Sequence, residues 1–336
     1  MNEKPLIVVD ADIPFIHGRL EPFFRVVYVD QFGFTPELVR HARAMVIRTR
    51  TRCNAALLAG SDVEIIATAT IGMDQFDLPW CHANGIVTRN APGCNAPGVA
   101  QYVWSSLLRL GFSPEGKRIG VVGCGNVGSI VAQWGHLLGA EVIVSDPPKA
   151  EEGVLSYKDR PLDELLGTCD AVTLHVPMTK DGKHPTHHLI GARELALLKP
   201  GAILVNAARG PVVDNAAWVE ALRKGTHRAV VDTWEGEPQI NRELLSLADI
   251  ATYHIAGYST EGKQRATRMA LRAIAGHFKI DVDLSGLAPD YTEPANLTAE
   301  TITASFDPAP IMDELRQSPA DFDRLRKEYR YRPEVR

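Results

Sequence analysis

Short apolar runs rich in β-branched residues recur along the chain, and segments with helical spacing lie between most of them. The runs cover residues 6–9, 26–30, 44–48, 63–70, 86–90, 119–122, 142–144, 171–176, 202–207, 229–232 and 250–255. Helices are predicted near residues 35–41, 54–60, 77–84, 97–110, 162–166, 192–198, 215–223 and 260–278. Strands that alternate with helices are typical of parallel sheets covered on both faces. The pattern predicts an α/β protein with two doubly wound parallel-sheet domains and a short C-terminal extension.

A glycine-rich turn follows the apolar run at 119–122. Gly123 permits a tight turn, Gly125 lets the backbone approach a pyrophosphate, and Gly128 lets the following helix pack closely on the strand. The helix starts within this turn, and its free N–H groups and its dipole favour a phosphate. The turn therefore predicts a nucleotide site.

An acid completes this pattern at the end of the next strand. Asp146 lies 23 residues after Gly123. A carboxylate at this place accepts hydrogen bonds from the adenosine ribose hydroxyls and repels a 2′-phosphate. Strand, glycine turn, helix and acid together predict a Rossmann-like unit that binds NAD rather than NADP.

The turn-rich string NAPGCNAPG marks a boundary between the two domains. We predict a discontinuous substrate-binding domain over residues 1–93 and 258–280, because the last long amphipathic helix is expected to cross back onto the first part. An NAD-binding domain is predicted over residues 94–257. Residues 281–336 hold a Pro- and Thr-rich stretch and a charged helix near 320–331, which predict a partner arm or a partly disordered tail.

The composition argues against several classes of function. The 336 residues carry a formal net charge of −5 without a long basic block, so nucleic acid is not an expected partner. No apolar run approaches the roughly 20 residues of a membrane span, and the N-terminus lacks the order of a signal peptide. Five scattered cysteines argue against a disulfide framework or zinc site and predict a reducing cytoplasm. The histidines of HPTHH are not expected to bind a metal, because no acid or cysteine completes a set there.

Three polar residues stand at predicted strand ends of the second domain. Arg209 follows the strand string AILVNA, Glu237 lies in DTWEGEP, and His254 ends IATYH. Oxidation of a 2-hydroxy acid needs a planar cation for the carboxylate and a base near neutral pKa for the hydroxyl proton. It also needs an acid that orients the imidazole, and either Glu237 or Asp232 could supply it. A strand-end aspartate such as Asp232 is also expected to face the nicotinamide.

Two stretches of the first domain indicate substrate contacts. RTRTRC places Arg48, Arg50 and Arg52 at alternate positions, so an extended chain would present them on one side. These arginines and the intervening threonines are interpreted as an anion site, with a solvated basic edge as the alternative. ATATIGMD offers the Thr68 and Thr70 hydroxyls at the carboxyl end of a strand, where open α/β sheets bind ligands. The alternative there is the β propensity of threonine.

Several strings resemble one enzyme family, the D-isomer-specific 2-hydroxyacid dehydrogenases. They are GCGNVG, LHVP, LKPGAILVNAARG, VVDTWEGEP and HIAG, and the resemblance covers nearly all of residues 5–278. It implies NAD as the cofactor, a homodimer, Arg209 and Glu237 as catalytic residues and His254 as the proton donor and acceptor. It implies substrate contacts at Thr49, Thr70 and Tyr258. It implies NAD contacts at Gly123, Gly125, Asn126, Val127, Gly128, Asp146, Val176, Ala207, Ala208, Asp232 and Gly257.

Within the family, strings such as ATATIGMD, KDGKHPTHHL and HIAGYSTEGK resemble the branch that oxidises 4-phospho-D-erythronate with NAD to 2-oxo-3-hydroxy-4-phosphobutanoate. Thr49 replaces the usual serine, Gln101 stands where an acid is usual, and the tail after Phe278 is expected to be much shorter than that branch's dimerisation region. Two alternatives stay open. One is a dehydrogenase or reductase of another phosphorylated or phosphonylated 2-hydroxy or 2-oxo acid, because RTRTR also resembles phosphoglycerate dehydrogenases. The other is a non-enzymatic, NAD(H)-sensing corepressor-like protein, which the complete catalytic set disfavours.

Overall fold

A computed structural model of the chain describes residues 3–30 and 32–335. The described residues form eleven strands and fourteen α-helices. The strands are β1 (Leu6–Asp10), β2 (Arg25–Val29), β3 (Ala42–Ile47), β4 (Ile65–Thr68), β5 (Val87–Arg89), β6 (Arg118–Val122), β7 (Glu141–Ser145), β8 (Ala171–Leu174), β9 (Ile203–Asn206), β10 (Arg228–Val231) and β11 (Ile250–Ala251). The helices are α1 (Pro36–Val39), α2 (Ala55–Leu58), α3 (Leu78–Ala83), α4 (Ala96–Arg109), α5 (Asn126–Leu137), α6 (Pro147–Glu151), α7 (Leu162–Thr168), α8 (Ala192–Leu197), α9 (Asn215–Arg223), α10 (Arg242–Leu247), α11 (Thr260–Phe278), α12 (Ala299–Ser305), α13 (Ala309–Gln317) and α14 (Phe322–Glu328).

The first of two compact units consists of Met1–Asn95 and Thr260–Thr292. Its sheet has the strand order β2-β1-β3-β4-β5, and the neighbouring strands are parallel. Alternate residues of a strand point to opposite faces. Ile7 and Val9 of β1 therefore join one buried cluster, which α11 covers, while Leu6 and Val8 join a second cluster on the other face. Both faces of this sheet are thus buried.

The second unit consists of Ala96–Ser259 and Glu293–Arg336. Its parallel sheet has the order β11-β10-β9-β8-β6-β7. Strand β6 has β7 on one side and β8 on the other, so the direction of the crossovers reverses there. In open α/β sheets, ligands bind outside the carboxyl ends of the strands at such a switch point. The fold therefore places the glycine turn, which follows β6, at the expected ligand-binding edge.

The C-terminal tail is helical, so the expectation of a partly disordered tail is wrong for the described residues. Helices α12, α13 and α14 bury Ile302, Leu315 and Phe322 in the core of the second unit. Thr298 caps α12 by accepting a hydrogen bond from the N–H of Thr301 at 3.2 Å. Thr298 and Pro308 of this stretch therefore mark helix starts, which are places where these residue types are favoured.

The parallel-sheet class and the predicted strands are confirmed, with differences at the strand ends. Helices α6, α10, α12 and α13 were not predicted, and each is at most nine residues long. Residues 281–336, predicted as one extension, are divided between the two units after Thr292. None of the helices in the described ranges is both long and apolar enough to cross a membrane.

Candidate active site

The three polar residues predicted for catalysis follow three neighbouring strands of the second sheet. Arg209 follows β9, Glu237 follows β10 and His254 follows β11. The last residue of β10 pairs in register with the last residues of β9 and β11. Because parallel strands all end at the same edge of a sheet, the three side chains start from one edge.

Glu237, rather than Asp232, is the acid that reaches the histidine. His254 Nδ1 lies 2.8 Å from Glu237 Oε1 and 3.0 Å from Oε2. A carboxylate only accepts hydrogen bonds, so Nδ1 carries the hydrogen and Nε2 of the neutral ring is left as the proton acceptor. About a quarter of each side chain is exposed (26% and 25%), so the pair is accessible to a ligand.

Two opposing effects set the charge of Glu237. Burial alone would raise the pKa of its carboxyl group, but the attraction of His254, the hydrogen bond with it, and the charges of Arg326 and Arg209 outweigh burial. The pKa therefore lies below its ordinary value of 4.5. Glu237 is a carboxylate at neutral pH and can stabilise a positive imidazolium.

The backbone that carries His254 is held in an uncommon conformation. His254 has φ +57°, in the left-handed region that costs energy for a residue with a Cβ. The fully buried Asp232 carboxylate accepts hydrogen bonds from the N–H groups of Ile255 (2.8 Å) and Ala256 (3.0 Å) and from the Thr252 hydroxyl (2.6 Å). Asp232 therefore anchors the loop of the histidine, and its expected contact with the nicotinamide stays a prediction.

The turn after β9 is shaped by Asn206. Its Oδ1 accepts from the N–H of Ala208 at 3.1 Å, and its Nδ2 donates to the carbonyl of Arg209 at 3.0 Å. A Cβ at Gly210 would overlap the backbone of Trp234, which lies on the loop that leads to Glu237. The absence of a side chain at Gly210 thus lets the loops after β9 and β10 pass in contact.

The glycine turn has the conformation that the sequence predicted. Gly123 has φ +86°, and a Cβ on Gly128 would overlap the carbonyl oxygen of Gly123. A Cβ on Gly125, in contrast, would meet open space. That space lies at the N-terminus of α5, where backbone N–H groups favour a phosphate. The turn therefore fits the pyrophosphate of a dinucleotide.

Asp146 follows β7 and contacts the glycine turn. Its Oδ2 accepts from the N–H of Cys124 at 2.7 Å, and its Oδ1 accepts from the N–H of Lys149 at 3.2 Å. Lys149 Nζ donates to the Cys124 carbonyl at 2.8 Å. Sequence reasoning missed Lys149, which lies three residues after the acid. The lysine ties the glycine turn to the acid that is predicted to bind the ribose.

The remaining predicted cofactor residues also follow strands of the second sheet. Val176 comes after β8, Ala207 and Ala208 after β9, and Gly257 after β11. Tyr258, predicted to contact substrate, is half-buried. Their contacts with ligands stay predictions.

Two predicted substrate residues lie in the first unit. Thr49 follows β3 and is exposed, while the Thr70 hydroxyl shares a hydrogen bond of 2.7 Å with the hydroxyl of Thr68. The anion site predicted at RTRTRC needs a correction. Arg48 is paired with Asp10 (3.0 Å) and Asp12 (2.7 Å), and the chain turns directly after it instead of staying extended. The three arginines therefore do not form one row, because Arg48 is held by the acids at the end of β1.

Sequence reasoning missed two arginines of the tail that hold the loop after His254. Arg332 is buried and donates to the carbonyls of Ile255, Ala256 and Tyr258 at 3.1, 2.5 and 3.2 Å. Arg326 Nε donates to the His254 carbonyl at 3.2 Å. A weak signal was present for Arg332, because the glutamine noted at position 101 accepts its Nε–H at 2.9 Å.

The reason for dismissing a metal at HPTHH is incomplete. His187, His188 and Glu235 bring potential ligand atoms within 4.8 Å of one another, so the structure supplies the acid that the local sequence lacked. His188 Nε2 lies 2.8 Å from Glu235 Oε1, and Glu235 Oε2 accepts from the N–H of Asn215 at 3.4 Å. These hydrogen bonds explain why the two histidines and Glu235 lie together: Glu235 links the loop of His188 to the start of α9. The prediction of no metal stays a prediction.

Comparison with known proteins identifies the family. The model of the D-isomer specific 2-hydroxyacid dehydrogenase, NAD binding domain, matches residues 88–256. Erythronate-4-phosphate dehydrogenase of Bacteroides fragilis is 44% identical over 340 residues, which cover 98% of this chain and 97% of that protein. The protein of the same name from Porphyromonas gingivalis is 40% identical over 349 residues, with 98% and 94% covered. The alignments leave only a small part of either relative unmatched. The expectation that this chain has a much shorter tail is therefore wrong for these two relatives.

Solved structures agree with this assignment. D-lactate dehydrogenase from Aquifex aeolicus, complexed with NAD and lactic acid, has a TM-score of 0.66 and 25% identity over 82% of this chain and 95% of that one. Cofactor-bound 3-phosphoglycerate dehydrogenase of Entamoeba histolytica has a TM-score of 0.69, with 86% and 100% covered, and at 23% identity it shows the fold alone. Since about half of the chain matches the family's NAD binding domain and nearly all of it aligns with these relatives, the chain belongs to the D-isomer-specific 2-hydroxyacid dehydrogenases and is an NAD-dependent enzyme.

Proposed function

We propose that this protein oxidises 4-phospho-D-erythronate at C2 with NAD, giving 2-oxo-3-hydroxy-4-phosphobutanoate and NADH. The observation that carries the reaction type is the 2.8 Å contact between His254 and Glu237. These residues follow β11 and β10, and the next strand of the sheet, β9, leads to Arg209. The choice of substrate rests on the activity for which the two bacterial relatives are named.

Each side chain has a separate task in this reaction. Arg209 binds the substrate carboxylate, because a guanidinium offers two parallel donors to it. His254 Nε2 accepts the proton of the C2 hydroxyl, and Glu237 stabilises the imidazolium that results. NAD supplies the hydride acceptor at C2 when it is bound at the glycine turn. Thr49, Thr70 and Tyr258 are proposed as further substrate contacts.

The proposal includes a homodimer in a reducing cytoplasm. The dimer is implied by the resemblance to the family, and sizing in solution tests it. All five cysteines lie in the described part of the chain and are buried thiols rather than disulfides, which suits a reducing compartment. A measured monomer mass, or secretion of the protein, would remove this part of the proposal.

Turnover with a panel of acids tests the substrate. NADH formation is followed with 4-phospho-D-erythronate, D-erythronate, 3-phosphoglycerate and a phosphonate analogue. We expect the highest kcat/KM for 4-phospho-D-erythronate. A higher value for another phosphorylated or phosphonylated acid would transfer the proposal to that acid. NADH binding without turnover on any acid would favour a sensor protein instead.

A further inference from the structure

A second guanidinium lies beside the catalytic pair, and it comes from the C-terminal tail. Arg326 is part of α14, and its Nε donates to the carbonyl oxygen of His254 at 3.2 Å. Its Cζ lies 5.5 Å from the ring centre of Tyr258. The arginine is therefore fixed between the residue that carries the proposed base and a residue proposed to contact substrate.

Much of the binding capacity of this guanidinium is unused. An arginine side chain has five N–H donors. Within residues 3–30 and 32–335, the one hydrogen bond that Arg326 makes to protein uses Nε, and its two terminal nitrogens have no protein acceptor. The side chain is half-buried, so these nitrogens lie at a surface that a ligand can reach. Two parallel donors on a planar cation suit a phosphate group as well as a carboxylate.

Arg209 and Arg326 both lie near Glu237. Both are close enough to stabilise its carboxylate form. Arg209 is assigned to the carboxylate at one end of the proposed substrate. The other end of that four-carbon chain carries the phosphate, and its charge needs a separate cation.

We infer that Arg326 binds the phosphate of the substrate and makes the enzyme specific for phosphorylated 2-hydroxy acids. This inference rests on the proposed function and adds a binding residue to it. It assigns the tail of the chain a direct part in substrate recognition.

A purely structural role for Arg326 is the competing explanation. The loop after His254 is already held by Arg332, which donates to three of its carbonyls, and by the Asp232 carboxylate. The single bond from Arg326 to the His254 carbonyl adds little to that network. A structural role would also affect all substrates alike, whereas a phosphate-binding role affects only those with a phosphate.

Turnover of two substrates by two variants separates these explanations. The substrates are 4-phospho-D-erythronate and D-erythronate, which differ only in the phosphate. Arg326→Met keeps the apolar length of the side chain and removes its charge. The matched control is Arg324→Met on the same helix, where the arginine is exposed and pairs with Asp321 and Glu328. NADH binding and thermal unfolding of each variant show whether the fold is kept.

We expect Arg326→Met to lower kcat/KM for 4-phospho-D-erythronate by about 10- to 100-fold, the size of one lost charge-assisted interaction. We expect less than a threefold change for D-erythronate, no such loss in Arg324→Met, and partial rescue by Arg326→Lys. An equal loss for both substrates, or a preference for the phosphate that survives in Arg326→Met, would reject the inference while leaving the proposed function in place. No preference for the phosphorylated substrate in the wild type would reject both.

Discussion

Arg332 connects the tail to the loop after His254 through several hydrogen bonds. It is 6% exposed, and its donors reach the carbonyls of Gly98, Ile255, Ala256 and Tyr258 and the Gln101 amide oxygen. Substitution by methionine keeps much of the apolar volume and removes every donor. The change therefore tests the hydrogen bonds rather than the packing.

The cost of this substitution follows from the acceptors that are left. A buried acceptor that is left without its hydrogen-bond donor costs about 1–3 kcal/mol. Part of the network survives this substitution. The Ile255 carbonyl also accepts from the N–H of Tyr258 at 2.8 Å, and the Gly98 carbonyl belongs to helix α4, where helical N–H groups are available to it. We therefore expect Arg332→Met to lower the free energy of unfolding of the second unit by about 3 kcal/mol.

Urea unfolding followed by tryptophan fluorescence measures this loss. Four of the five tryptophans, Trp104, Trp134, Trp218 and Trp234, are buried in the second unit, so the signal reports mainly on that unit. The control is Arg330→Met, an exposed arginine two positions earlier in the chain, for which the change stays within about 0.5 kcal/mol. Because the loop carries His254, kcat is also expected to fall by about 10-fold in Arg332→Met.

An Arg332→Met protein whose free energy of unfolding stays within about 0.5 kcal/mol of the wild type and whose kcat is unchanged would contradict this prediction. The hydrogen bonds of Arg332 would then contribute nothing measurable. The tail would have to be held by the apolar contacts of its three helices alone.

Three further predictions concern the catalytic pair, the cofactor and pH. Glu237→Gln is expected to lower kcat by about 10²- to 10⁴-fold, because an amide neither orients nor stabilises the imidazolium of His254 as a carboxylate does, and steady-state NADH formation measures it. Asp146→Ala is expected to weaken NAD binding by about 10-fold and to reduce the preference for NAD over NADP, which fluorescence titration with both reduced cofactors detects. His227 is buried, and its Nε2 accepts the indole N–H of Trp218 at 3.0 Å; burial is the main cause that lowers its pKa from 6.5 to about 4. Between pH 6.5 and about pH 4, the unfolded chain binds more protons at this histidine than the folded protein does. The stabilisation that is present above pH 6.5 is therefore lost as the pH falls, and the loss reaches about 2 kcal/mol at about pH 5. Unfolding titrations at several pH values should show this loss, and a His227→Asn variant should show less of it.

Local patterns made the sheet and the glycine turn predictable from the sequence. Gly123, Gly125 and Gly128 act within one turn, so their spacing alone fixes the backbone that a pyrophosphate needs. Arg209 and His254 were predictable for a related reason: residues that follow consecutive parallel strands share one edge of the sheet. Periodicity and order along the chain carry this information.

Contacts between distant parts of the chain were not predictable in the same way. Nothing in RTRTRC shows that Arg48 pairs with Asp10, because that pairing depends on the register of β1 against β3. Glu237 and Asp232 were equivalent as partners of the histidine until the loop geometry separated them. Arg326 and Arg332 are far along the chain from the loop they hold, and only the packing of the tail brings them there.

Transfer of deuterium from the substrate to the cofactor is the most direct test of the proposed hydride transfer. The enzyme is supplied with NAD and with 4-phospho-D-erythronate that carries deuterium at C2, and the NADH formed is examined by NMR. We expect one deuterium at C4 of the nicotinamide, together with the 2-oxo acid, in the wild type, and almost no NADH in His254→Asn. NADH without deuterium, or the absence of NADH from the wild-type reaction, would contradict it.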